Sequence, residues 1–264
     1  MSFLHIHRGA SRLILSIPHA GTEIPAAFEP DLVSLWRARK DADWWLPELY
    51  AFAEALGATI IRTAISRSII DVNRDPSGAS LYPGQVTTGL CPTETFDGEP
   101  LYHDGTRLDN AAMAGRREIY FDPYHAAIRA EIMRLRHFHD QVVLYDCHSI
   151  RSVIPRLFPG RLPNFNIGTN DGKACEADLC ARVAAICAAD TAHDYVVNGR
   201  FKGGWITRRY GDPASGVQAI QMELACRGYM DEPETPDATN WPGALQAEPA
   251  ILPTLRSILE ELSR

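Results

Sequence analysis

Four apolar residues, Val142-Val143-Leu144-Tyr145, run without interruption into Asp146-Cys147-His148-Ser149. A run of that kind reads as a strand buried on both faces that turns polar where it leaves the sheet. Strands covered on both sides belong to α/β architectures, in which ligands collect beyond the carboxyl ends of the strands. A second stretch repeats the pattern: Leu13-Ile14-Leu15-Ser16-Ile17 exits into Pro18-His19-Ala20-Gly21. Two neighbouring strands, each delivering a histidine at its exit, would set two imidazoles side by side. Two histidines and one carboxylate make a zinc site that keeps a coordination position open for water.

Spacing does not choose the third ligand: Glu23 lies four residues after His19, while Asp43 starts a helix and Asp41 lies two residues before it. Glu223 is a further carboxylate of interest, set inside the apolar run Ala219-Ile220-Gln221-Met222-Glu223-Leu224. A buried charge needs a partner or a task. Either it pairs with an arginine such as Arg227, or burial tunes it as a general base for an attacking water. Asn73-Arg74 offers a guanidinium suited to clamping a carboxylate, with a local ion pair to Asp71 or Asp75 as the plainer reading. Thr169, in Gly168-Thr169-Asn170-Asp171-Gly172, sits in what is either an anion-binding nest of backbone amides or an ordinary turn. His125, behind Pro123, reads as a packing or capping histidine.

The order of elements fits one domain over residues 1–264. Strands are expected at 12–18, 58–62, 142–147, 164–168, 195–198 and 217–224. Helices are expected from about Asp31 to Lys40, Asp43 to Leu56 with a stop at Gly57, Arg116 to His139 with a break near Asp122-Pro123, Glu176 to Ala189, and Ile251 to Leu262. Ser68 to Asp71 reads as a further short strand. Residues 76–110 lack periodicity and suggest an ordered flap, because aromatic residues such as Tyr82, Phe96 and Tyr102 recur in them. Strands alternating with helices imply an α/β fold with a mixed, largely parallel sheet and helices on both faces.

Charge narrows the function. The formal net charge of -7 and pI near 5.7 argue against nucleic acid or an anionic membrane as partner. No apolar run is long enough for a membrane span, and residues 1–10 contain no apolar leader segment, so a cytoplasmic location is expected. The 6 cysteines show no C-x-x-C pairing and read as reduced thiols. Cys147 neighbours His148 but alternates with it along a strand, so the two side chains should point to opposite faces. That disfavours a cysteine nucleophile.

Taken in order, Ser16-Ile17-Pro18-His19-Ala20-Gly21-Thr22-Glu23-Ile24-Pro25, Asp41-Ala42-Asp43-Trp44, Ser66 to Pro76 (with Asp71-Val72-Asn73-Arg74), Asp146-Cys147-His148-Ser149, Asn166 to Gly172 and Gln221-Met222-Glu223-Leu224 resemble the N-formylglutamate amidohydrolases. The resemblance extends over about residues 11–262. It implies a phosphorylase/hydrolase-like fold related to the zinc carboxypeptidases, one Zn2+ per chain, and hydrolysis of N-formyl-L-glutamate in histidine degradation. It further implies His19 and His148 as metal ligands, Glu223 as general base, and Asn73-Arg74 on a substrate carboxylate, with Arg208 or Arg227 assisting. The carboxypeptidase pattern His-x-x-Glu would put its carboxylate at position 22, which is Thr22 here; Asp43 is therefore favoured over Glu23 as third ligand. The expected partner is a small molecule only, and a monomer is expected. Competing expectations are another zinc-dependent N-acyl amino acid amidohydrolase or carboxypeptidase-like peptidase, and a non-catalytic small-molecule binding protein.

Overall fold

The computed structural model describes residues 2–264 and sets the two apolar runs side by side in one sheet. Its strands are β1 (Leu4–His7), β2 (Leu13–Ile17), β3 (Thr59–Thr63), β4 (Val142–Ile150), β5 (Phe165–Gly168), β6 (Tyr195–Val197) and β7 (Val217–Ala225). They lie in the order β1-β3-β2-β4-β7-β5-β6. The central β3, β2, β4 and β7 are parallel, β1 and β5 join them antiparallel, and β6 runs parallel to β5. The sheet is mixed and largely parallel, as its apolar strands demand.

Every residue of β4 and β7 is buried, because both faces carry helices. On one face Leu13, Leu15, Val143, Tyr145, Cys147, Ile220 and Met222 pack with α2 (Leu46–Leu49), α5 (Ala177–Ala189) and α7 (Leu252–Ser263). On the other, Ile14, Leu144 and Ala219 pack beneath α4 (Asp122–Arg136) and α6 (Trp205–Tyr210). Each large side chain so buried is worth about 1.5–3 kcal/mol. Towards the strand ends this second face changes character: Ser16, Asp146, His148, Gln221 and Glu223 replace aliphatic residues at its alternate positions. Cys147 faces the other way, in the apolar layer.

Several local expectations are corrected. Helix α1 (Leu35–Arg39) begins four residues after Asp31, capped by Ser34, whose Oγ accepts from the Arg37 amide at 3.3 Å. The stretch Asp43 to Leu56 is not one helix: Trp45 takes a left-handed φ of 65° before α2, and a 3-10 segment, Ala51–Leu56, ends at Gly57, as expected, with φ 68°. Ser68 to Asp71 forms turns rather than a strand. The break expected near Asp122-Pro123 takes the form of a π-helical turn, Arg117–Phe121, between α3 (Asn110–Arg116) and α4, and Pro123 sits in the first turn of α4. Strand β1 and helix α6 are additions. Residues 76–108 carry no helix or strand of their own.

His125 ties α4 to the site. Its ring is buried against Phe121 and Tyr210. The Val72 carbonyl can only accept, so His125 Nε2 donates to it at 2.8 Å, and Nδ1 accepts from Tyr210 Oη at 2.8 Å. Burial pushes the imidazole pKa down from 6.5 to about 4. The fold therefore binds only the neutral form. As pH falls below 6.5 the unfolded chain takes up a proton first, so stability is lost between 6.5 and about 4, at about 1.4 kcal/mol per pH unit. His125→Phe should cost about 1–3 kcal/mol at pH 7 by leaving the Val72 carbonyl unpaired, and should flatten this acid limb. Chemical denaturation of both proteins across that range checks the prediction; parallel curves would refute it.

Candidate active site

Strand register brings the first two groups together. His148 of β4 and Glu223 of β7 are paired positions on parallel neighbours and share a face of the sheet. His19, two residues beyond β2, reaches the same place: its ring centroid lies 4.8 Å from that of His148. Asp43 arrives from the connection between α1 and α2, where its amide donates to the His19 carbonyl at 3.0 Å. The left-handed Trp45, two residues on, turns the chain away from Asp43 into α2.

Three ligand atoms converge. His19 Nδ1 and His148 Nδ1 are 3.1 Å apart, and Asp43 Oδ2 lies 3.2 Å from the second and 3.7 Å from the first. All three residues are buried. The far nitrogens point at carboxylates: His19 Nε2 is 2.6 Å from Asp71 Oδ1, and His148 Nε2 is 3.0 Å from Asp146 Oδ2. With a divalent cation among the Nδ1 atoms, these contacts would keep the protons on Nε2, because a carboxylate only accepts. Such carboxylate–histidine pairs orient and strengthen metal ligands. Asp43 Oδ1 is also buried without a hydrogen-bond partner. The donor set of two imidazoles and a carboxylate fits a divalent metal. Glu23 is exposed and outside the group, while half-buried Asp41 accepts from the Phe96 amide at 2.7 Å instead.

The surrounding charges sort the carboxylates. Burial alone would raise Asp71, but Arg74, His19 and Arg67 hold it well below the usual range. Asp43 is likewise held low by the two imidazoles despite its burial. Burial opposes charge on His148, yet Asp146 and Asp43 outweigh it and raise its pKa. Glu223 has no such rescue: burial lifts its pKa from 4.5 to about 7, with His148 only partly opposing. Its one side-chain hydrogen bond among the described residues comes from the Gln221 amide, which donates to Oε2 at 3.2 Å.

The group opens into a narrow cleft of about 60 Å³, lined by Arg67, Arg74, Tyr82, Phe96, Arg200 and Phe201 among others. Asn73 lines it as well but is largely committed to support. Its Oδ1 accepts the Ile206 amide at 2.7 Å, and its Nδ2 donates to Asp146 Oδ2 at 3.4 Å. A Cβ at Gly204 would lie 2.3 Å from that Nδ2, so only glycine lets α6 start so close to the site. Arg74 binds the flap, with Nε donating to the Thr88 carbonyl at 2.9 Å and Nη2 to Thr88 Oγ1 at 3.0 Å. Tyr82 Oη donates to the Gly203 carbonyl at 2.9 Å, a second tether of the flap.

Three expected substrate residues fall outside the cleft lining. Arg208 stands behind Tyr82, 4.9 Å over its ring, and donates to the Gly203 carbonyl. Arg227 donates to Asn164, Asp194 and Ser152 on another surface, so it pairs neither with Glu223 nor with a ligand there. Thr169 stabilises its own turn through Asn198. Arg67, Asp71, Asp146 and Arg200 were not singled out from the sequence. Strand alternation carried the signal for Asp146, two residues before His148; Arg200, in an irregular loop, had none.

Comparison with known proteins agrees over most of the length. Residues 11–230 match the family model described as N-formylglutamate amidohydrolase. An N-formylglutamate deformylase of Pseudomonas putida is 45% identical over 231 residues, 88% of this chain and 86% of that protein. One of Pseudomonas aeruginosa is 46% identical over 233 residues, 87% and 86% respectively. The crystal structure of N-formylglutamate amidohydrolase from Ralstonia eutropha JMP134 superposes with TM-score 0.79 at 22% identity, covering 99% of this chain and 96% of that one. A gene product of Agrobacterium tumefaciens gives 0.73 at 18% identity, covering 99% and 95%. At those identities the two structures speak for the fold.

If Asp146 orients His148 as a ligand, Asp146→Asn should weaken divalent-metal affinity about 10- to 100-fold while leaving the fold intact. Titration against a chromophoric chelator measures this, and unchanged affinity would remove the arrangement.

Proposed function

The chain belongs to the N-formylglutamate amidohydrolase family, and on that premise we propose that it hydrolyses N-formyl-L-glutamate to formate and L-glutamate, with one zinc ion held by His19, Asp43 and His148. The observation that carries the reading is the convergence of two Nδ1 atoms and Asp43 Oδ2 beside a buried carboxyl, Glu223, in register with His148. When bound, the metal supplies Lewis-acid polarisation of the formyl carbonyl and acidifies water.

The protein's own groups divide the remaining work. Glu223 accepts the proton of the attacking water as the new C–O bond forms at the formyl carbon. It then gives that proton to the departing glutamate nitrogen as the C–N bond breaks. A carboxyl whose pKa is raised to about 7 can do both near neutrality. Asp71 and Asp146 hold the imidazoles in their tautomers. Arg67, 3.6 Å from Asp43, adds positive charge to the cleft. Arg74 positions a substrate carboxylate, steadied by Asn73 and by the flap. Residues 76–110 close the cleft around a small acyl group.

On this reading the protein acts in histidine degradation. The 6 free cysteines fit a reducing cytoplasm, and among the described residues no helix is long and apolar enough to cross a membrane. We take the active form to be a monomer acting on a small molecule alone.

Glu223→Gln should lower kcat by about 10²–10⁴-fold with metal content unchanged; an active variant would remove Glu223 as the base. Chelation should abolish release of formate from N-formyl-L-glutamate, and added zinc should restore it. Activity indifferent to complete metal removal would overturn the zinc assignment.

A further inference from the structure

Of the three arginines that line the cleft, Arg200 stands apart from the carboxylates of the site. Arg67 is paired with Asp71 at 2.7 Å, and Arg74 lies 3.7 Å from the same carboxylate. Among the described residues no carboxylate comes within ion-pair distance of Arg200. The guanidinium is nevertheless fixed. Nε donates to the Leu157 carbonyl at 3.0 Å, Nη2 donates to the Val86 carbonyl at 3.2 Å, and the rings of Tyr82 and Phe201 flank it at 5.5 and 5.2 Å. A guanidinium has five N–H donors. Two are used here, which leaves three without an acceptor among the described residues, including both on Nη1.

Burial pulls the Arg200 pKa down and Arg74 adds to the pull, while Tyr82 and Glu223 oppose it. A half-buried positive charge of this kind is held at a cost unless an anion joins it. Residues on both sides of the cleft hold it in place: Val86 and Tyr82 on the flap, Leu157 and Phe201 across from them. Guanidinium geometry suits a carboxylate, and stacking on aromatic rings fixes its plane.

We propose that Arg200 determines specificity by binding the side-chain carboxylate of a dicarboxylic N-acyl amino acid, while Arg74 serves the other carboxylate. The inference rests on the deformylase reading of the same cleft. An acidic side chain supplies the missing counter-charge; an amide or alkyl side chain of equal length does not. The selectivity arises because a neutral substrate leaves the Arg200 charge without a counter-charge.

The test compares kcat/KM for N-formyl-L-glutamate and its neutral isostere N-formyl-L-glutamine in the wild type, Arg200→Gln and Arg200→Lys, with thermal melting of each protein. The wild type should prefer the glutamate compound by about 10- to 100-fold. In Arg200→Gln that ratio should fall to near one, with the loss concentrated on the glutamate compound and expressed chiefly in KM. Arg200→Lys should recover part of the preference. An equal loss on both substrates, or a lowered melting point that accounts for it, would make Arg200 a structural tether and overturn the proposal. A wild type that turns over both compounds equally would also overturn it, while leaving the deformylase function standing. Hydrolysis of neither would remove that function, and the specificity role with it.

Discussion

Four carboxylates withdrawn from water at one edge of the sheet set the terms for everything around them. Asp43, Asp71, Asp146 and Glu223 are all buried. Charge there is tolerable only with compensation in place. Arg67 and Arg74 flank Asp71, the imidazoles lie against Asp71, Asp146 and Asp43, and a divalent cation among the Nδ1 atoms would complete the balance. Glu223 is the one left with a single neutral donor, and burial raises it accordingly. Two carboxyl groups, Asp43 and Glu223, thereby take opposite protonation preferences, the divergence that the proposed roles of ligand and base would require.

The readable parts of this arrangement were those imposed by strand geometry. The apolar runs ending at His19 and His148 imposed both burial and direction, and period-two alternation put Cys147 on the opposite face from His148. Glu223 stood out as a charge inside an apolar strand. Asp43 could not be selected over Glu23 by spacing, because the selection is made by the left-handed Trp45 and by the contact between the Asp43 amide and the His19 carbonyl. Helix α6 escaped notice because it is short and begins behind Gly203-Gly204 without an apolar period. Arg227 misled because its acceptors, Asn164 and Asp194, lie far from it in sequence. Arg200 was silent, since its flanking rings and carbonyls come from two different loops.

An acidic protein handling an anionic substrate must reverse its own potential locally. The net charge of -7 is spread over the whole chain, whereas the cleft gathers Arg67, Arg74 and Arg200. Cavities lined by one sign of charge focus their field inward. The flap contributes no cation of its own to this set. It braces two of them, Arg74 through Thr88 and Arg200 through Val86 and Tyr82.

The pairing of His148 with Glu223 across adjacent parallel strands has an evolutionary consequence. A slip of one residue would send Glu223 into the apolar layer now occupied by Met222 and Leu224, and expose one of those to the cleft. The chemistry is therefore inherited with the hydrogen-bond ladder of the sheet and cannot drift by small steps. The loops bearing Arg200 and the flap are under no such lock. A lineage descended from this scaffold is free to exchange the compounds it accepts long before it can exchange the reaction it performs.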